Sequence, residues 1–271
     1  MSEEQSRVGD WTDEDRGSSD IHNPERCLSF TVSGPWGHFR RVEGNIVKQT
    51  YRVIPRTTVA GLVAAMLGIG RDEYYDLFAP NASAVAIEPV KPIRTMNMPM
   101  NTLSTAKESM KTLNSRGSLS ISFPDSTENR QQHNYEVLVE PSYRIDLWLG
   151  DNETYARLKE MLEEGRSHYV PSLGLSEYLA EVEFHGEFEV NEGTSDEVAS
   201  VSSTVPSDSI IPDAGTEFRM EKPPAYMEAD SGGRRTTAFV SYSYSPDAEP
   251  LKVQGGDIQT AEVDGRQVVF I

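Results

Sequence analysis

The 271-residue chain has one cysteine, Cys27, so it forms no internal disulfide and offers no pair of thiolates to zinc. Lysine is scarce too: seven lysines accompany 18 arginines, against 43 acidic side chains. No run of about 18 apolar residues occurs, which excludes a membrane-spanning helix. The acidic N-terminus lacks the apolar stretch of a signal peptide, so a cytoplasmic protein is expected. Five histidines (His22, His38, His133, His168, His185) show no metal-ligand spacing, and no metal or other cofactor is expected. Gly68-Ile69-Gly70 stands at a helix end rather than a strand-to-helix turn, so it is no phosphate-binding fingerprint. No repeat of 20–50 residues occurs.

What is present is acid. The formal charge is −18, and an acidic, lysine-poor, Ser/Thr/Asp-rich composition fits a protein adapted to molar salt, an ordinary acidic protein being the alternative. The bases that do occur are clustered. Residues 27–60 carry five (Arg40, Arg41, Lys48, Arg52, Arg56) against Glu43 alone, and residues 91–144 carry seven against five acids. Residues 151–271 reverse this, with nine bases to 24 acids. Two positive stretches in an acidic chain read as a face for a polyanion.

Residues 1–26 are polar and aperiodic, and a disordered tail is expected there. Leu28, Phe30 and Val32 alternate with polar residues as in a strand, which Gly34-Pro35-Trp36-Gly37 breaks. A helix is expected over Val59–Leu67, capped by Thr57 or Thr58 and closed by Gly68, then a short second helix over Arg71–Ala79. Strands follow at Ala84–Val90, Tyr135–Val139 and Tyr143–Leu149. Asp151 or Asn152 caps an amphipathic helix to Glu164, and residues 178–190 return to a strand. Residues 95–134 form a long polar insertion without clear period. The order β-α-β-(insertion)-β-α-β is ferredoxin-like, an α+β class, over 27–190. A β-rich C-terminal lobe is expected over 191–271, with a tight hairpin at Val263-Asp264-Gly265-Arg266.

Val32–Phe39, then Tyr51–Gly68, then Tyr169–Ala180 resemble, in order, stretches of the CRISPR-associated Cas-five family. These are Cascade subunits of the RAMP superfamily that cap the 5′ handle of crRNA, and the form is most similar to haloarchaeal type I-B subunits. The resemblance implies a ferredoxin-like domain with a long thumb, for which the 95–134 insertion is the candidate. It implies as partners the crRNA 5′ handle, the adjacent backbone subunit, the large subunit and target DNA near the PAM, with no membrane.

A single-stranded handle is held by stacking its bases and bonding its phosphates. Trp36, His38 and Phe39 are candidates to stack bases, with core packing the alternative for Trp36 and Phe39. Arg40 and Arg41 can fork onto phosphates. Arg52 and Arg56 flank a helix N-terminus that attracts phosphate, or they pair with carboxylates. In the insertion, Lys107, Lys111, Arg116 and Arg130 are the cationic candidates. Met96, Met98 and Met100 alternate on one strand face, to wedge between bases or pack on a neighbouring subunit. Ser172 and Gly174 lie in a loop that either approaches RNA or a partner closely or is a plain turn. At molar salt the Debye length is about 3 Å, which favours short arginine contacts over long-range attraction. One branch of the family cleaves pre-crRNA without metal, and His38, Tyr51 and Lys48 are candidates for that chemistry. The Lys-His pair associated with that branch is missing, since Gln132 precedes His133. A non-catalytic subunit is therefore expected.

Overall fold

The computed structural model describes residues 23–41, 47–103, 112–113, 119–120, 130–194, 197–230, 233–254 and 258–271. Strand β1 (Arg26–Ser33) sends Leu28, Phe30 and Val32 into one core, and the preceding Cys27, on the opposite face, is buried in a second. Both faces are covered because β1 is central. Helix α1 (Arg56–Leu67) follows, then β2 (Ser83–Pro89). Strands β3 (Arg94–Leu103) and β4 (Arg130–Val139) pair as an antiparallel hairpin, and β5 (Ser142–Leu149) returns to the sheet. Helix α2 (Asn152–Glu163) and β6 (Glu181–Glu189) complete a β-α-β-β-α-β succession. The sheet order is β6-β1-β5-β2, all antiparallel.

Several local expectations change. No side chain caps α1: the Pro55 carbonyl accepts the Thr58 and Val59 amides, and Thr57 Oγ1 donates to the Pro224 carbonyl. Gly68, at φ +72°, closes the helix. Arg71–Ala79 is not a second helix but holds one 3-10 turn, Asp76–Phe78, because Asp72 at φ +66° breaks the helical path. Asp151 caps α2, its Oδ2 accepting the Thr154 amide at 3.0 Å, and Tyr155, Leu158 and Leu162 face the core. The strand expected from residue 178 begins at Glu181, since Tyr178 and Leu179 belong to a loop bridged to Ser172. The insertion is not aperiodic at its base, where Leu103↔Arg130 to Arg94↔Val139 form a ten-pair ladder. Of the tail, residues 1–22 lie outside the described residues. Asn23 to Arg26 are held, Asn23 Nδ2 bonding the Thr260 carbonyl and the Glu25 carbonyl accepting the Val190 amide.

Residues beyond 190 add β7 (Val198–Val201), β8 (Pro224–Asp230), β9 (Gly233–Phe239), β10 (Leu251–Gln254), β11 (Ala261–Val263) and β12 (Arg266–Val268). They share the main core: Val201, Tyr242, Leu251, Val253 and Ile271 pack in one cluster with Leu28, Phe30 and α1. The β11–β12 hairpin turns at Asp264 (φ +49°) and Gly265 (φ +71°), as the sequence signal requires. It covers the sheet face opposite the helices, packing Ala261, Val263 and Val268 on Cys27, Ala84 and Ala86. Arg266 fixes it there, bonding Glu88 and both Asp146 oxygens.

Candidate nucleic-acid interface

With the sheet's outer face closed by its own hairpin, the positive residues gather around β4. One edge of β4 pairs with β3; the other meets the short strands Trp36–Gly37 and Val47–Lys48. Side chains alternate along a strand, and directly paired residues share a face. Met96↔Val137, Met98↔Tyr135 and Met100↔His133 therefore stand together, with Trp36 opposite Val139 and Lys48 beside Tyr135. Met96 is exposed at 43%, while Met98, Met100, His133, Tyr135 and Trp36 are half-buried. Ring contacts link His38 to Tyr135 at 5.2 Å and Tyr135 to His133 at 6.4 Å, both edge to face. Tyr178 Oη reaches Met100 Sδ at 4.0 Å. The result is a band of polarisable sulfur and ring surface.

Cations border the band. Arg40 is exposed on the strand Phe39–Arg40, which pairs with Thr50–Tyr51, and it makes no salt bridge among the described residues. Lys48, beside Tyr135, makes no salt bridge among the described residues either, whereas Arg41 stands over the buried Tyr51 ring, 5.4 Å from its centroid, and acts electrostatically on Glu221. Such a surface can stack bases and bond phosphates without sequence-wide attraction.

The other candidates are placed differently. Phe39 is 2% exposed and packs against Tyr143 in the core, so it is not a stacking residue. His38 is 1% exposed. Its Nδ1 lies 2.8 Å from the Glu136 carbonyl, which can only accept, so the ring proton sits on Nδ1. Burial lowers its pKa, leaving it neutral rather than cationic. Arg52 is committed to Glu136 through two hydrogen bonds of 2.7 and 3.0 Å, and to the Thr50 carbonyl. The Arg52 amide donates to Glu221, a buried carboxyl whose pKa burial pushes up to about 7. Arg56 is 3% exposed beneath α1 and cannot reach a ligand at the surface. Arg52 therefore takes the carboxylate pairing and Arg56 a buried internal role.

Gly174 approaches this chain itself. At φ +95°, a Cβ there would stand 1.9 Å from the His38 carbonyl oxygen. The loop carrying Ser172 and Gly174 docks on the Trp36–Phe39 segment, the His38 amide donating to the Leu173 carbonyl at 3.0 Å. Ser172 bridges Leu179. Two stretches far apart in sequence, Val32–Phe39 and Tyr169–Ala180, thus form one unit beside the band. Lys107, Lys111 and Arg116 lie outside the described residues, and Arg130 begins β4 opposite Leu103. Sequence reasoning missed His133, Tyr135 and Tyr178 as members of the face. The alternation at Met96, Met98 and Met100 was the available signal, but only register shows which rings stand opposite.

No cluster of three metal-ligating side chains occurs among the described residues, nor a helix long and apolar enough to cross a membrane.

A family model described as CRISPR-associated protein (Cas5) matches residues 27–243. The crystal structure of a CRISPR protein from Archaeoglobus fulgidus is similar at 18% identity and a TM-score of 0.51, over 90% of this chain and 98% of that one. At that identity the likeness is one of fold. A chain of a CRISPR RNA-guided surveillance complex is similar at 13% identity and a TM-score of 0.48, over 84% of this chain and 91% of that one. No curated protein matches.

Proposed function

Since the chain belongs to the CRISPR-associated Cas5 family, we propose that it is a non-catalytic, RNA-holding subunit of a type I CRISPR Cascade complex, of the I-B kind. In this reading the β-α-β-β-α-β core is a ferredoxin-like RAMP domain and the β3–β4 hairpin is the base of its thumb. The band of Met98, Met100, Tyr135 and His133, bordered by Arg40 and Lys48, holds the 5′ handle of crRNA, with Arg41 over the Tyr51 ring as a further cation. The adjacent backbone subunit, the large subunit and target DNA beside the PAM complete its surroundings in the cytoplasm.

One observation carries the reading. In a chain of charge −18, Arg40 and Lys48 stand without carboxylate partners among the described residues, next to stacking surface. Bases that an acidic protein leaves without a carboxylate partner keep their charge available for a phosphate at short range. Binding of RNA carrying the 5′ repeat handle, compared with RNA of scrambled handle, tests this in molar KCl. Preference for the authentic handle is expected; equal binding contradicts it.

The non-catalytic part rests on His38. Metal-independent cleavage needs a base within reach of a 2′-hydroxyl. His38 is 1% exposed with its basic Nε2 buried, and Tyr51 is 8% exposed, so neither side chain reaches a 2′-hydroxyl at the surface. Incubation of the purified chain with pre-crRNA should return intact RNA. Specific cleavage that is abolished by His38→Ala would overturn this.

A further inference from the structure

Strand β6 (Glu181–Glu189) ends the sheet order β6-β1-β5-β2 and pairs with β1 alone, so its outer edge lies open among the described residues. The far edge of the sheet is covered instead: Val85 of β2 exchanges both backbone bonds with Ile271, and the Ile87 carbonyl accepts the Thr204 amide. The register fixes which groups of β6 point outward. Gly34, following β1, gives its amide to Pro141 on the β5 side, so Ser33 and Thr31 turn their backbone groups to β6. Their partners Glu181 and Glu183 therefore bond to β1, and Val182 and Phe184 present theirs outward. The Val190 amide goes to the Glu25 carbonyl on the β1 side, which leaves Glu187 and Glu189 facing outward beyond the register shift. Only the start of this edge is used, where the Ala180 amide donates to the Pro171 carbonyl at 2.9 Å.

The side chains along the edge are two-sided. Val182 and Phe184 pack on the main core yet remain half-buried, on the face that the helices cover. Glu181, Glu183 and His185 are exposed on the opposite face, His185 Nε2 lying 2.7 Å from Thr31 Oγ1. Neither Glu181 nor Glu183 makes a salt bridge among the described residues. Beside the start of the edge, Val170 and Leu179 flank the Pro171–Ala180 bond and are 71% and 55% exposed. An incoming strand would bury apolar surface and satisfy backbone groups at once. Charge selects the occupant. Antiparallel pairing of β6 with a second copy of β6 sets glutamate among glutamates, and a nucleic-acid phosphate meets the same carboxylates.

We propose that the open edge of β6 receives an extended, basic segment of a partner protein as a fifth strand of the sheet. Lys or Arg of that segment stands opposite Glu181 and Glu183, and apolar residues at alternate positions stand opposite Val182 and Phe184. The edge makes no use of Arg40, Lys48 or the stacking band, so the proposal is independent of the RNA-holding reading.

A capped peptide of alternating lysine and valine, about eight residues long to match the edge, is the probe, and its glutamate–valine counterpart is the control. Amide hydrogen exchange of the full chain should be fast at Val182, Phe184 and Glu187, and the lysine peptide should slow it there. Glu181→Lys/Glu183→Lys should weaken binding of the lysine peptide about tenfold and favour the glutamate peptide, with Tm unchanged. Val182→Pro removes an outward amide while leaving the β1 ladder, and should block docking. Should that variant fail to fold, the charge reversal decides. Equal binding of both peptides, no binding of the lysine peptide, or protection only outside β6 overturns the proposal. Slow exchange at those amides in the free chain, or a dimer of the chain dispersed by the charge reversal, gives the edge another occupant and overturns it as well.

Discussion

Arg40 and Arg52 flank one short hairpin and have opposite duties. Arg40 is exposed and makes no salt bridge among the described residues, whereas Arg52 is clamped on Glu136 with its amide on Glu221. Arg52→Ala strands a largely buried Glu136, and a loss of about 2 kcal/mol in urea unfolding is expected. Arg40→Ala should stay within about 0.5 kcal/mol of wild type in the same experiment. Glu221 makes a pH prediction. Its folded pKa, about 7, lies above its unfolded value near 4.5, so the native state binds more protons between those limits. Its contribution is fully present below about pH 4.5 and is lost as pH rises through about 7. The difference in unfolding free energy between wild type and Glu221→Gln should therefore change by up to about 3 kcal/mol across that window and level off above it. A flat difference from pH 4.5 to 8 would remove Glu221 as the titrating group.

At the scale of elements, the loop Pro171–Ala180 positions the face. Gly174 needs both its positive φ and the absence of a Cβ, because the His38 carbonyl occupies the space a side chain would take. Gly174→Ala should cost at least about 3 kcal/mol and lower Tm accordingly, since backbone strain and steric overlap add. The same contact explains what the sequence could and could not convey. The glycine was visible, and its close approach was a fair inference, but the group approached is the chain's own His38. Elements specified by near neighbours were legible: the Gly68 stop of α1, the Asp151 cap of α2 and the Asp264-Gly265 turn all depend on residues a few positions apart. Arg52 and Glu136 lie 84 positions apart, and nothing local marks them as partners. Membership of the stacking face depends on the β3–β4 register, a non-local quantity that composition does not encode.

For the whole molecule, the residues after Asn191 are structurally joined to the rest. Val201, Tyr242 and Val253 fill the core that Leu28 and Phe30 begin, and the β11–β12 hairpin seals the far side of the sheet. A fragment ending at residue 190 should consequently lose its near-ultraviolet circular dichroism while retaining much far-ultraviolet signal; a cooperative unfolding transition would contradict a shared core. In the proposed reading RNA meets the β3–β4 hairpin side instead, where Arg40 and Lys48 stand without salt bridges among the described residues, and its binding there rests on a few short contacts. The most direct measurement is the amount of crRNA that co-purifies, in molar KCl, with a complex assembled on Arg40→Ala/Arg41→Ala in place of the wild-type chain. The account predicts a clear loss of crRNA with Tm unchanged. Full crRNA occupancy with the doubly substituted chain would contradict it.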